Sequence, residues 1–155
     1  ASADDVLIGT FGTSNRLSYT ALGDRVNLAA RLEAASGKVG TSNLFCDHTR
    51  ELCEGREDVL WRRVGALVAA GKSEAVPIHE AFDRDDPTDW IADFEASLAL
   101  YEAKDFAGAR EGFEGVKADR GELGDGPSEF YLAMLDDIAT RGVPADWTPV
   151  LALKK

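Results

Sequence analysis

The segment with the clearest chemical potential runs from Tyr19 to Glu33 and reads YTALGDRVNLAARLE. Asn27 and Arg31 are four residues apart, so in a helix their side chains project from the same face. Both fall in the first two helical turns, where unpaired backbone N–H groups and the helix dipole favour an anion. The forked donors of Arg31 match paired phosphate oxygens, and a Thr20 hydroxyl at the end of the preceding strand can line the same cleft. The pattern fits a phosphate clamp, but it also fits a solvated helix face, which is the commoner role of such a pair.

The surrounding sequence predicts the strands and the helix that would position these residues. A short apolar run at Val6–Ile8, turn residues and a second run at Leu17–Leu22 predict a β-hairpin. Asp24 is a suitable N-cap for a helix over Arg25–Ala35, which we expect Gly37 to stop. The predicted apolar face of this helix comprises Val26, Ala29 and Ala30, with Leu28 and Leu32 beside it.

Further along, the pattern changes from mixed α/β to helical. Strands are predicted near 43–46 and over Val59–Val68 and Val76–Phe82, with a short helix near His48–Cys53. Helices are then predicted over Trp90–Lys104, Phe106–Ala118 and Ser128–Thr140, and Trp147 and Val150 are expected to pack back onto the chain. The fold class predicted is therefore α+β followed by an α-helical region.

The first two of these helices match the spacing of a tetratricopeptide-like hairpin. Tyr101, Phe106, Ala109 and Phe113 carry this match. A self-standing array needs about three such units, and the sequence contains one. A packed helical extension is therefore favoured over a peptide-binding groove, although a protein partner for this region stays an expectation.

Charge divides the chain at the same place. The 155 residues carry a formal charge of −11, with a net of −2 over residues 1–82 and −9 over residues 83–155. We therefore expect one unit at 1–82, an acidic linker at 83–89 and a helical extension at 90–155. The acidity argues against a nucleic-acid partner, because phosphate backbones require a basic surface. No apolar run reaches the roughly 18–20 residues of a membrane span and no signal peptide is evident, so a cytoplasmic location is expected.

The Tyr19–Glu33 segment resembles the class III adenylyl/guanylyl cyclases. In that family a strand ending in Tyr-Thr or Tyr-Asp is followed by Gly-Asp and by Val-Asn-x-Ala-x-Arg-Leu-Glu at the start of a helix. Upstream, IGTFGTSNRLSY is similar to the family's hairpin, and LWRRVGALVAAGKSEAVPIHEAF is similar to its closing hairpin. The resemblance covers residues 6–82 well and 90–155 loosely, and it implies a partial ferredoxin-like cyclase fold.

The resemblance also implies roles for individual residues. Asn27 would orient the ribose and the nucleotide, and Arg31 would stabilise the charge that develops on the phosphate as the 3′-oxygen attacks. Thr20 stands where the family reads the purine, and Thr there goes with adenine. The implied reaction converts ATP to 3′,5′-cyclic AMP and pyrophosphate in a signalling protein, at a site built across a head-to-tail dimer.

The resemblance further implies that the chain corresponds to the C-terminal half of a catalytic domain. The family holds Mg²⁺ or Mn²⁺ through two Asp residues, and contacts the purine with a Lys, all upstream of the matched stretch. No metal ligand is therefore assigned in this chain, and we expect the isolated polypeptide to be inactive while its parent protein is an adenylyl cyclase. The alternative is a non-catalytic cyclase-like scaffold whose helices recruit a partner.

Two other constellations have less support. Cys46, His48 and Cys53 lie close in sequence, but a zinc site needs four ligands, so buried cysteines are the favoured interpretation. Gly71-Lys72-Ser73 resembles the end of a phosphate loop without its upstream glycine or its strand–loop–helix context, and a hairpin turn is favoured.

Overall fold

Two antiparallel sheets and five α-helices form the part of the chain that the computed structural model describes, residues 6–13, 16–68, 75–86 and 88–151. In chain order the elements are β1 (Leu7–Thr13), β2 (Arg16–Leu22), α1 (Asp24–Val39), β3 (Phe45–Cys46), α2 (Asp47–Leu52), β4 (Val59–Val68), β5 (Ala75–Asp83), α3 (Trp90–Glu102), α4 (Phe106–Arg120) and α5 (Gly126–Arg141). A single 3₁₀ turn at Gly121–Leu123 joins α4 to α5. The α+β class followed by helices is thus confirmed.

The β1–β2 hairpin forms a separate two-stranded sheet. Its strands pair in register from Leu7 opposite Leu22 to Thr13 opposite Arg16. Apolar side chains of this hairpin lie in solvent: Leu17 is 65% exposed and Tyr19 is 78% exposed. The predicted hairpin is therefore present, with its apolar residues outside the core.

The other sheet has the strand order β3-β5-β4, with β5 in the centre. Its β4–β5 register shifts between Arg63 and Gly65, which marks a bulge. The Tyr131 hydroxyl donates to the Val64 carbonyl over 2.9 Å at this bulge. Gly65 has φ +152°, and a Cβ there would come within 2.6 Å of the Tyr131 oxygen, so only glycine fits beside that contact.

Helix α1 differs from its prediction at both ends. It begins at Asp24 with Gly23 as the N-cap residue, and it continues through Gly37 to Val39, where Gly40 in the left-handed conformation ends it. The buried face comprises Leu28, Leu32, Ala35 and Val39 rather than Val26, Ala29 and Ala30. The prediction was wrong because two helical stripes were available, and the one with the larger side chains is buried in the hydrophobic core.

Helices α3, α4 and α5 match their predicted positions to within two residues at each end. Their buried aromatic side chains contact one another: the Phe94 and Phe113 rings are 5.4 Å apart, and Phe113 stacks on Tyr131 at 5.1 Å. These residues belong to the same hydrophobic core as Leu32 and Ile78 of the α1 and sheet region. Residues on both sides of 83–89 thus share one core. The division of the chain into separate units at 83–89 stays a prediction.

The segment after α5 packs back as expected for Trp147. Its ring lies 5.5 Å from those of both Tyr101 and Phe106. Beyond it, the Leu151 backbone N–H donates to the Ala66 carbonyl over 2.8 Å and forms a parallel bridge with β4. Among the described residues, no helix is long and apolar enough to cross a membrane.

Candidate functional site

The β2–α1 unit places two of the three predicted site residues in solvent. Thr20 lies on β2 opposite Gly9 and is exposed. The turn at Gly23 begins α1, and the Gly23 carbonyl accepts from the backbone N–H groups of Val26 and Asn27 over 3.1 and 3.2 Å. Because these bonds form the first turn of the helix, the exposed Asn27 side chain is held at the helix N-terminus.

Arg31 lies one turn further along α1 and points to the end of β4. It is half-buried, and its Nη1 donates to the Val68 carbonyl over 2.5 Å. A guanidinium has five N–H donors, so this bond fixes the side chain while other donors stay available to an anion. Partial burial strengthens any such contact, because the effective dielectric constant falls away from bulk water.

One strand–turn–helix unit thus carries Thr20, Asn27 and Arg31 in the order that the sequence predicts. What sequence reasoning missed is the role of Val68, which acts through its backbone carbonyl. A backbone acceptor leaves no signal in residue type, so this contact appears only in the structure. The neighbouring Gly71-Lys72-Ser73 turn lies outside the described residues.

A second polar cluster joins α2 to the central strand β5. His79 is 7% exposed, and its Nε2 lies 2.9 Å from Asp47 Oδ1, which also accepts from Arg50 Nε over 2.9 Å. Burial lowers the pKa of His79 and outweighs the opposite effect of the Asp47 carboxylate. For Asp47, burial raises the pKa, but Arg50 and His79 together bring the pKa below its usual value. The cluster is thus held as a neutral imidazole beside a carboxylate.

The prediction of buried cysteines is confirmed for Cys46 and is wrong for Cys53. Cys46 is buried, Cys53 is half-buried, and both are free thiols. The His48 ring lies 3.7 Å from Glu51 on the same helix. Within the described ranges, no group of three His, Cys, Asp or Glu side chains is placed to hold a metal ion.

The β2–α1 unit is equally unsuited to a divalent cation. Its predicted site residues offer a hydroxyl, an amide and a guanidinium, whereas Mg²⁺ and Mn²⁺ are held mainly by carboxylates. The described residues therefore do not fit the metal that the resemblance implies, and no metal-dependent step is assigned to them.

Comparison with known proteins supplies the family context. No family model matches the chain. Adenylate cyclase 1 of Rhizobium meliloti (strain 1021) is 39% identical over 74 residues, which are 48% of this chain and 11% of that protein. The terminal-differentiation-specific adenylate cyclase of Dictyostelium discoideum is 40% identical over 78 residues, 50% of this chain and 4% of that protein. The chain is related to adenylyl cyclases over about half of its length.

A solved adenylyl cyclase is also similar. The crystal structure of the adenylyl cyclase CyaB from P. aeruginosa shares 31% sequence identity with a TM-score of 0.40, and covers 53% of this chain and 41% of its own. The present chain spans only a small fraction of the two adenylyl cyclases matched by sequence. The activity and substrates of the whole protein are therefore a matter of proposal.

Proposed function

We propose that this chain is the purine-reading and transition-state-stabilising part of a class III adenylyl cyclase. The observation that carries the proposal is the β2–α1 unit, in which an exposed Asn27 and a fixed Arg31 follow Thr20. Its support is the relation of about half of the chain to adenylyl cyclases. ATP is the proposed substrate, and cyclic AMP and pyrophosphate are the proposed products.

In the proposed reaction the ribose 3′-oxygen attacks the α-phosphorus, and pyrophosphate leaves. Negative charge develops on the phosphate oxygens during this step, and a guanidinium aimed at them stabilises the transition state more than the ground state. We assign this role to Arg31. Its hydrogen bond to the Val68 carbonyl already restricts the side chain, so less conformational entropy is lost when the side chain binds a phosphate. Asn27 holds the ribose, and Thr20 accepts from or donates to the purine edge.

Other groups of the reaction are proposed to come from elsewhere. Mg²⁺ or Mn²⁺ would supply Lewis acidity at the phosphates, held by carboxylates that are not among the described residues. We propose that the complete site forms where this part of the protein meets the metal-binding part of a second cyclase polypeptide, either another copy of the parent protein in a homodimer or a complementary half. The isolated 155-residue chain is accordingly proposed to make no cyclic AMP.

A complementation assay tests this proposal. The partner is the Rhizobium adenylate cyclase with Ala in place of the two residues that correspond to Asn27 and Arg31, which removes its own transition-state contacts. With ATP and Mn²⁺, we expect the mixture of the two polypeptides to form cyclic AMP. Neither polypeptide should form cyclic AMP alone. The Asn27→Ala and Arg31→Ala forms of this chain should restore at most about 1% of that activity. The Arg56→Ala form should restore all of it, because Arg56 is an exposed residue paired with Asp58.

The outcomes separate the two functions under consideration. A folded chain that never restores activity would favour the non-catalytic scaffold, in which the helices recruit a protein partner. Cyclic AMP made by the isolated chain would contradict its assignment as half of a site.

A further inference from the structure

The carbonyl that fixes Arg31 lies on the outer edge of β4. In the sheet order β3-β5-β4 this strand pairs with β5 on one side only, so the backbone groups on its other edge need partners from outside the sheet. Alternate carbonyls of a strand point to the same edge. In the second half of β4 the alternate carbonyls are those of Val64, Ala66 and Val68, and each accepts a hydrogen bond from a different part of the chain.

Two of the three donors to this edge belong to the helical extension. The Tyr131 hydroxyl of α5 donates to the first carbonyl over 2.9 Å, and the Leu151 backbone N–H donates to the second over 2.8 Å. The third donor is Arg31 of α1, whose Nη1 donates to the last carbonyl over 2.5 Å. The residue assigned to the phosphate and two residues of the extension are thus bonded to one strand edge.

The two residues of the extension also pack on β4 through their side chains. A Cβ on Gly65 would lie 2.6 Å from the Tyr131 hydroxyl oxygen and 3.8 Å from Leu151 Cδ1, so both side chains reach the strand at the same point. Tyr131 is fully buried, Leu151 is 9% exposed, and Leu67, which faces Leu151 in the parallel bridge, is fully buried. These contacts hold the strand immediately before Val68.

The position of Val68 depends on how firmly the end of β4 is held. Val68 is the last residue of the strand and the one residue of that strand that is exposed. The ends of strands open more readily than their centres. A displaced Val68 carbonyl would displace the Arg31 guanidinium bonded to it, and a misplacement of about 1 Å costs about 100-fold in rate. Contacts that hold β4 as far as Ala66 therefore bear on where Arg31 lies.

We propose that the helical extension positions Arg31 through the outer edge of β4, with Tyr131 and Leu151 as positioning residues. This inference rests on the proposed role of Arg31 in the cyclase reaction, although the restraint on its side chain is measurable without any reaction. While both contacts are made, the Val68 carbonyl is fixed and Arg31 presents its remaining N–H groups to the phosphate. When the extension leaves β4, Arg31 loses its fixed acceptor.

The first measurement is ¹⁵N relaxation of the Arg31 Nε–H group in the purified chain, with the signal identified by its loss in Arg31→Lys. Leu151→Pro removes the N–H donor together with its packed side chain, and Tyr131→Phe removes only the hydroxyl. The order parameter should be near the value of about 0.85 for rigid groups, fall below about 0.6 in Leu151→Pro, and fall in Tyr131→Phe as well. Val116→Ala is the control, because it removes a side chain of α4 that is 1% exposed and makes none of the three bonds to β4, and it should leave the order parameter unchanged.

The second measurement is turnover in the mixture with the altered Rhizobium adenylate cyclase. A positioning role predicts that Leu151→Pro lowers kcat by about 10- to 100-fold while KM for ATP changes little, whereas a loss of stability alone would leave the folded, assembled fraction fully active. In the Arg31→Ala form, Leu151→Pro should lower kcat no further, because a residue that acts through Arg31 then has nothing left to position.

The outcomes for the extension and for the proposed function are distinguishable. An Arg31 order parameter that stays unchanged in folded Leu151→Pro and Tyr131→Phe would overturn the inference, as would an equal fall in Val116→Ala. If Leu151→Pro does not fold, Tyr131→Phe decides the question, since it keeps the ring in place. If the order parameter falls as expected but no mixture forms cyclic AMP, the proposed function fails while the coupling of the extension to Arg31 is supported.

Discussion

His79 is the residue at which protonation and folding are most directly linked. Because burial lowers its pKa below the ordinary value of 6.5, the unfolded chain binds a proton at this residue more readily than the folded chain does. Its contribution to stability is therefore complete above about pH 6.5 and is lost as the pH falls through the lower, folded-state pKa. We expect the free energy of unfolding to fall in this window with a slope of at most about 1.4 kcal/mol per pH unit from one group.

Urea unfolding at a series of pH values between 5 and 8 measures this effect. His79→Gln should remove the slope, and His48→Gln should retain it, since the His48 side chain is 40% exposed. The pKa of the Asp47 carboxyl is lowered from 3.8, so its protonation affects stability only at pH values below this window. A slope that survives in His79→Gln would contradict the assignment.

The β1–β2 hairpin is the element whose stability differs most from that of its neighbours. Two strands alone are marginally stable in water, and Leu7, Leu17 and Tyr19 contribute little burial because each is more than half exposed. We expect backbone amides of β1 and β2 to exchange with solvent through opening free energies at least about 2 kcal/mol below those of β4 and β5. Hydrogen exchange followed by NMR checks this, with the amide of Ile78 in the central strand β5 as the protected reference. Equal protection in both sheets would contradict it.

The elements show how far the sequence alone determines this structure. Strands and helices with strong periodicity, such as β4, α3 and α5, were predicted within two residues because their apolar pattern has one solution. The buried face of helix α1 was not predicted correctly, because the helix has two candidate apolar stripes and only tertiary packing chooses between them. One stripe contains Val26, Ala29 and Ala30, and the stripe that is buried contains Leu28, Leu32, Ala35 and Val39. Likewise, Asn27 and Arg31 were identified from residue type and spacing, whereas the Val68 carbonyl that fixes Arg31 has no sequence signal.

At the scale of the whole molecule, the helices and the β3-β5-β4 sheet share one core, which predicts a single cooperative unfolding transition. Tryptophan fluorescence reports on β4, α3 and the C-terminal segment through Trp61, Trp90 and Trp147, and far-UV circular dichroism reports mainly on the helices. We expect the two transitions to coincide in urea. Two separate transitions would instead support independent units on either side of 83–89.

A matched pair of variants sharpens this prediction. Leu98→Ala on α3 removes a side chain that is 1% exposed, and it should lower the free energy of unfolding by about 2–5 kcal/mol in both signals together. Leu100→Ala on the same helix removes a side chain that is 37% exposed, and its effect should be clearly smaller. A Leu98→Ala effect confined to the helical signal would argue against one shared core.

The turnover of Arg31→Ala in the reconstituted cyclase tests the proposed role of Arg31 most directly. If Arg31 stabilises charge that develops only in the transition state, its loss should lower kcat by about 100- to 1,000-fold while KM for ATP changes little. The Val68 contact is a backbone interaction at one edge of the core, so circular dichroism should show the variant folded. An unchanged kcat in a folded, assembled Arg31→Ala protein would exclude Arg31 from the proposed mechanism.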